Sequence, residues 1–213
     1  MPEKREVSKA TIGRLPLYLR FLQEASARGE KFISSSVIAQ SISVSSVLVR
    51  KDLAVVSSNA GVPRKGFGVN TLIADIEKFL GYDNLSDVVI VGAGGLGKAF
   101  LGYEGFKNNG MNIVAAFDKD ERLVGSKVAG KPILSMKDFD DFVEKGKIRI
   151  GIIAVPKSAA QEVLDKMAGA GIKAIWNFAP AALLAPKGVT LKTEDLAASL
   201  SILAGKLLRK SEE

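Results

Sequence analysis

Ile12, Leu15, Leu19 and Leu22 recur at helical spacing, and this predicts an amphipathic helix over residues 11–28. Thr11 is its expected N-cap, Pro16 is expected to delay the regular helix by a turn, and Gly29 stops it. Ser34, Ser35 and Ser36 offer an N-cap for a short second helix, about 35–41, with Val37, Ile38 and Ile42 apolar. Ser45 caps a third, about 46–56, in which Val47, Leu48, Leu53 and Val56 recur and Arg50, Lys51 and Asp52 lie between them. The next stretch, SSNAGVPRKGFGVN (57–70), is glycine-rich and reads as a turn or hairpin; residues 71–80 form one more short amphipathic helix. Three helices followed by a basic glycine-containing hairpin is the order of a winged-helix DNA-binding domain, expected over residues 1–80, with the junction at 81–84.

The pattern changes at Asp87. DVVIV (87–91), NIVAAFD (112–118), KPIL (131–134), RIGIIAVP (149–156), KAIWNF (173–178) and VTLKTE (189–194) are near-continuous apolar runs or short strand candidates. Helical stretches at 98–106, 139–146 and 158–171 alternate with them. Such alternation predicts an α/β fold, a doubly wound parallel sheet of the Rossmann type covered on both faces, over residues 85–194. The last segment, 195–210, is an apolar-striped helix with nothing left in the chain to pack beside.

Composition narrows the chemistry. The chain has 213 residues, 47% hydrophobic, enough for a real core, and contains no Cys and no His. Disulfides, thiol nucleophiles, Cys-rich metal sites and His-dependent catalysis are thereby excluded. The charged N-terminus is not followed by an apolar run, and no stretch approaches the ~20 apolar residues of a membrane span. A cytoplasmic protein with no membrane and no metal is expected. Of the net charge of +7, residues 1–80 carry +5, from 12 Lys or Arg and 7 Asp or Glu, a mild pointer to a polyanionic partner.

Gly92-Ala93-Gly94-Gly95-Leu96-Gly97 matches G-x-G-x-x-G between a strand and a helix, the context in which it binds a dinucleotide. Gly92 permits the tight turn, Gly94 lets a pyrophosphate approach the backbone, and Gly97 allows close helix–strand packing. Free N–H groups at the helix start face the anion. Asp118, 21 positions past Gly97, is placed to hydrogen-bond an adenosine ribose, which favours NAD over NADP, although the adjacent Lys119 can accommodate a phosphate. Val155 and Pro156 end one strand, and Asn177, Phe178 and Pro180 end or follow the next; all are candidates to line the nicotinamide half of the crevice. The alternative for each is ordinary strand-end turn chemistry. Arg50 and Lys51, on a helix opened by Ser45 and Ser46, are candidate DNA contacts together with Arg64, Lys65 and Gly66 of the hairpin. The competing reading is a solvated basic face. An NAD-dependent oxidoreductase and a CoA-binding protein share the glycine turn and remain alternatives; the lack of His and of a substrate domain weighs against the first, and Asp118 against the second.

The chain resembles the redox-sensing transcriptional repressor Rex family over about residues 9–205. The resemblance is carried by RLPLYLRFL (14–22), VRKDL (49–53), RKGFG (64–68), VGAGGLGKAF (91–100), AFDKD (116–120), VP (155–156), AGIKAIWNFAP (170–180) and EDLAASL (194–200). It implies a non-enzymatic homodimer that binds double-stranded operator DNA and releases it on binding NADH, so sensing the NADH/NAD balance. It also implies that residues 195–213 form a swapped dimerisation helix, and that Tyr103 lies near the nicotinamide and competes with Arg20 for Asp195 of the other subunit. The chain departs from the family pattern at Val55-Val56-Ser57, Gly68-Val69 and Leu196.

Overall fold

The structure is a computed structural model; it describes residues 7–59, 61–82 and 86–210, without the side chains of residues 206 and 208–210. The chain divides into two compact units, Met1–Asn84 and Leu85–Glu213.

The first unit runs α1 (Lys9–Ala27), β1 (Phe32–Ile33), α2 (Ser35–Ser41), α3 (Ser46–Val56), β2 (Phe67–Gly68) and α4 (Val69–Leu80). Leu15, Leu19 and Leu22 of α1, Ile38 of α2, Val49 and Leu53 of α3, and Leu72 and Ile76 of α4 share one core. Ser34 and Ser45 cap α2 and α3 through their side chains, as the sequence suggested. The start of α1 differs from expectation: Ser8, not Thr11, is the N-cap, and Pro16 lies inside the helix without delaying it. Ser8 captures the Thr11 N–H, so the helix begins two residues earlier and Thr11 becomes a buried interior residue. Ile12, Val37 and Val47, counted by periodicity with the apolar faces, are exposed. Between α3 and α4, Val62 bridges Gly66 antiparallel, and β2 pairs with β1, a strand too short to announce itself in the sequence.

The second unit runs β3 (Ser86–Val91), α5 (Gly95–Gly102), β4 (Met111–Asp118), β5 (Lys127–Val128), β6 (Lys131–Ser135), α6 (Phe139–Gly146), β7 (Ile150–Ile153), α7 (Ala160–Gly169), β8 (Ala174–Asn177), β9 (Thr190–Thr193) and α8 (Leu196–Lys210). The sheet order is β5-β6-β4-β3-β7-β8-β9, parallel throughout except for β5. Counted from β3, the parallel strands follow the doubly wound order 3-2-1-4-5-6, with the switch point between β3 and β7. Both faces of β3 are buried: Val89 and Val91 enter one core, Val88 and Ile90 the other, which is why DVVIV is apolar without alternation. The helix expected over 98–106 ends at Gly102, and a 3-10 turn covers Glu104–Asn109. Among the described residues no helix is long and apolar enough to cross a membrane.

Candidate functional site

At the carboxyl end of β3 the chain turns at Gly92, whose φ is +102°; a Cβ there would strike the Ala154 carbonyl of the loop after β7. Gly97 is buried, and a Cβ on it would strike the Gly92 carbonyl oxygen, so the first turn of α5 lies directly against the strand end. Gly94 and Gly95 are exposed, and the space beside each is open. The first N–H groups of α5 have no preceding helical carbonyl, so the open space faces a row of donors at the positive end of a helix. This cradle, closed to side chains on the sheet side and open on the other, fits a pyrophosphate.

Asp118 ends β4 beside the cradle. Its Oδ2 accepts the Ala93 N–H at 2.7 Å and its Oδ1 accepts the Asp120 N–H at 2.9 Å. Asp118 therefore pins the glycine turn, and a second lone pair on each oxygen remains for a ribose hydroxyl. Gly92, Gly94, Asp118, Lys119, Val155 and Pro156 line one cleft of ≈ 510 Å³.

Leu96 and Phe178 belong to a second, apolar depression of ≈ 460 Å³ with Tyr103, Phe106, Trp176 and Leu196. Tyr103 is 59% exposed and meets the Phe106 ring edge-on at 5.1 Å. Asn177, by contrast, is fully buried: its amide donates to the Ala179 carbonyl and the Thr193 hydroxyl, and its oxygen accepts the Ala179 N–H. It shapes the turn that aims Phe178, and Pro180 lies exposed beyond it. Asp195 caps α8, accepting the Ala198 N–H at 2.8 Å. Arg20 is 82% exposed, lies 3.5 Å from Glu24, and belongs to the other unit.

In the N-terminal unit, Val47, Arg50, Lys51 and Ala54 are exposed at positions i, i+3, i+4 and i+7 of α3, a single outward stripe. Ser45 and Ser46 open the helix. Arg64 and Lys65 project from the hairpin, with Lys65 Nζ 5.7 Å above the Phe32 ring. Gly66 has φ +85°, and a Cβ there would collide with the Ile33 carbonyl, so the hairpin lies flat on β1. Asp75 of α4 accepts the Ser58 N–H at 2.8 Å and its hydroxyl at 2.9 Å, which ties down the loop leaving α3.

Sequence reasoning missed the inward face of α3. Asp52 is 3% exposed and accepts hydrogen bonds from Arg14, Thr11 and Tyr18 of α1. Burial opposes its charged form, but the bonds from Arg14, Tyr18 and Thr11 outweigh it and hold the carboxyl below its ordinary range. A signal was present: Asp52 shares the helical face of Val49, Leu53 and Val56, and a carboxylate on an apolar face requires buried partners.

Residues 6–54 match a family described as putative DNA-binding protein N-terminus, and residues 83–181 match the CoA binding domain family. The chain is 38% identical over 203 residues to the redox-sensing transcriptional repressor Rex of Treponema denticola, covering 95% of this chain and 96% of that one. It is 40% identical to the Rex repressor of Pelotomaculum thermopropionicum over 208 residues, covering 98% and 97%. Among solved structures it is similar to RSP in complex with β-NAD+ and operator DNA, at TM-score 0.89 and 36% identity, covering 97% of this chain and 94% of that one. RSP in complex with β-NADH matches at TM-score 0.84 and 36% identity, covering 96% of each chain.

Proposed function

The chain belongs to the redox-sensing transcriptional repressor Rex family, and on that premise we propose how its own residues bind operator DNA and couple its release to NADH. The observation that carries the reading is the pairing, on one chain, of a basic helix-and-hairpin surface with a glycine cradle closed by an acidic strand end. The N–H groups at the start of α5 hold the pyrophosphate, and Asp118 accepts from the ribose hydroxyls while keeping the turn in place. The same carboxylate repels a phosphate on the adenosine ribose, the 2′-phosphate of NADP(H) or the 3′-phosphate of CoA, which favours NAD(H) over both.

Tyr103, Phe178, Trp176 and Leu196 present an apolar wall at the nicotinamide end. Such a wall tolerates a neutral dihydronicotinamide better than a cationic ring, because desolvating a charge without a partner is costly. No acid, base or nucleophile is asked of these residues; the ligand supplies a difference in charge, and the protein reads it. Leu196, Leu200 and Leu203 of α8 are exposed apolar positions suited to a second copy of the chain, in keeping with a homodimer. In the DNA-competent form Asp195 of one subunit pairs with Arg20 of the other; with NADH bound it is taken by Tyr103 of the other subunit. The protein acts in the cytoplasm and needs no metal.

The test is calorimetric titration of the full-length protein with NADH, NAD, NADPH and CoA, with and without a palindromic duplex. NADH is expected to bind most tightly and to displace DNA. Equal binding of NADPH or CoA would overturn the ribose assignment.

A further inference from the structure

We propose that Val47 is a sequence-reading residue that packs against the 5-methyl group of a thymine in the operator. The proposal rests on the repressor reading above and deepens it, because neither Arg50 nor Lys51 can recognise an apolar edge.

Val47 stands in the first turn of α3 and is 51% exposed. Its helix is firmly seated: the Ser45 hydroxyl accepts the Leu48 N–H at 3.2 Å, Val49 and Leu53 are fully buried, and Asp52 is bonded to α1. The outward stripe of that helix is Val47, Arg50, Lys51 and Ala54, so an isopropyl group leads a row whose next members are cations. A single exposed apolar side chain is ordinary on a protein surface. At this place it is less so. Valine is a poorer helix former than alanine, lysine or glutamate, and at a half-exposed helical position packing offsets only part of that cost.

The N-terminal residues of a recognition helix approach base edges in the major groove, while cations a turn later reach guanine or phosphate. Val47 carries no side-chain donor or acceptor, so it reads no hydrogen-bonding edge. The apolar feature that a base pair displays in the major groove is the thymine C5-methyl. Val47 is also close enough along the stripe to act alongside Arg50, one turn away, so the pair would read neighbouring bases.

The experiment starts with the full-length protein selecting duplexes from a randomised pool. Each thymine of the selected site is then replaced singly by deoxyuridine, which removes the methyl and leaves every hydrogen-bonding group. For the parent protein, one such replacement in each half-site is expected to weaken binding about fourfold, the worth of one buried methyl. Val47→Ala removes the contact from both half-sites of the dimer, so it is expected to lose about sixteenfold, the square of the single-methyl effect, on the thymine duplex and to be indifferent to deoxyuridine at either position, so the protein and DNA changes are non-additive. Unchanged melting and NADH binding confirm that Val47→Ala is folded. Deoxyuridine replacements that cost nothing anywhere, or that cost Val47→Ala as much as the parent, overturn the proposal. Failure to enrich any duplex overturns the repressor reading itself, a distinct result.

Discussion

Arg14 and Asp52 lock the first and third helices of the N-terminal unit together: Nε and Nη2 of the guanidinium donate to the two carboxylate oxygens at 2.7 and 2.8 Å. Thr11 and Tyr18, on the same face of α1, donate to that carboxylate as well. The outward side chains of α3, Arg50 and Lys51, are therefore aimed by a buried charge directly next to them in sequence.

Removing Asp52 leaves a partly buried guanidinium without its counter-charge. Asp52→Ala should destabilise the N-terminal unit by about 3 kcal/mol. The pH dependence has a defined sign. A carboxyl held below its ordinary value of 3.8 contributes stability above that pH and loses it as the pH falls through the lower native value. Tyr18, pushed up from 10.0 to about 12 by burial and by its bond to Asp52, contributes stability that is lost as the pH rises through that interval. Thermal melts of the parent, Asp52→Asn and Tyr18→Phe across pH check both limbs; Asp52→Asn should flatten the acid limb and Tyr18→Phe the alkaline one.

Gly66→Ala should damage the hairpin. The position needs a left-handed backbone, and a methyl would meet the Ile33 carbonyl. DNA affinity is expected to fall at least tenfold while NADH binding stays unchanged, as measured by electrophoretic shift and by calorimetry. Retention of full DNA affinity would remove the hairpin from the binding surface.

The strands and glycine turn of the second unit were legible because buried parallel strands are apolar on both faces and the turn admits few residue types. Helices α2 and α3 were legible through Ser34 and Ser45. The start of α1 was not, because Ser8 and Thr11 are both good caps and the choice depended on Thr11 finding Asp52 across the core. Strands β1 and β5, at two residues each, carry too little pattern to be read. At the candidate site, Gly92, Gly97 and Asp118 could be named from spacing. The inward turn of the Asn177 amide could not, since a strand-end asparagine serves a ligand or its own turn equally well. Val47 escaped because periodicity counts an apolar residue without saying which side of the helix faces the core.

Asp118 is expected to serve two roles, and the substitutions separate them. Asp118→Ala removes both the ribose acceptor and the anchor of the Ala93 N–H, so NADH affinity should fall by tenfold or more and the preference over NADPH should relax. Asp118→Asn keeps an acceptor for the turn and lowers the repulsion of a 2′-phosphate. It should retain more NADH affinity than Asp118→Ala and gain NADPH affinity relative to the parent. Fluorescence titration with both cofactors measures the ratio; an unchanged ratio in both variants would place the ribose elsewhere.

Arg50 and Lys51 differ from Val47 in what they should cost. A cation that meets a phosphate should weaken binding to all sequences alike and lower the slope of log affinity against log salt by about one unit. A cation that reads a base should instead cost ~1–3 kcal/mol at one operator position. Single Arg50→Ala and Lys51→Ala variants, titrated against the selected duplex and a scrambled one at several salt concentrations, assign each residue. The double variant with unchanged affinity would show that α3 is not the recognition helix.

The switch makes the most demanding prediction. Asp195 caps α8 through Ala198, and Tyr103 stands exposed at the rim of the apolar depression, so each has a free side for a partner from a second copy. If Asp195 is shared between Arg20 and Tyr103, NADH moves the equilibrium by the difference in its affinity for the two arrangements. Couplings of this kind are typically ~1–3 kcal/mol, so DNA and NADH should weaken each other about 5–150-fold, and by the same factor in both directions. Tyr103→Phe removes the hydroxyl that takes Asp195, while its ring still packs on Phe106. It should bind DNA like the parent and hold it at saturating NADH. Asp195→Ala removes the shared group and should weaken DNA binding even without NADH, as should Arg20→Ala. Measuring DNA affinity with and without saturating NADH for all three yields the coupling directly. Parent-like release of DNA by both Tyr103→Phe and Asp195→Ala would discard this switch and leave the repressor assignment standing.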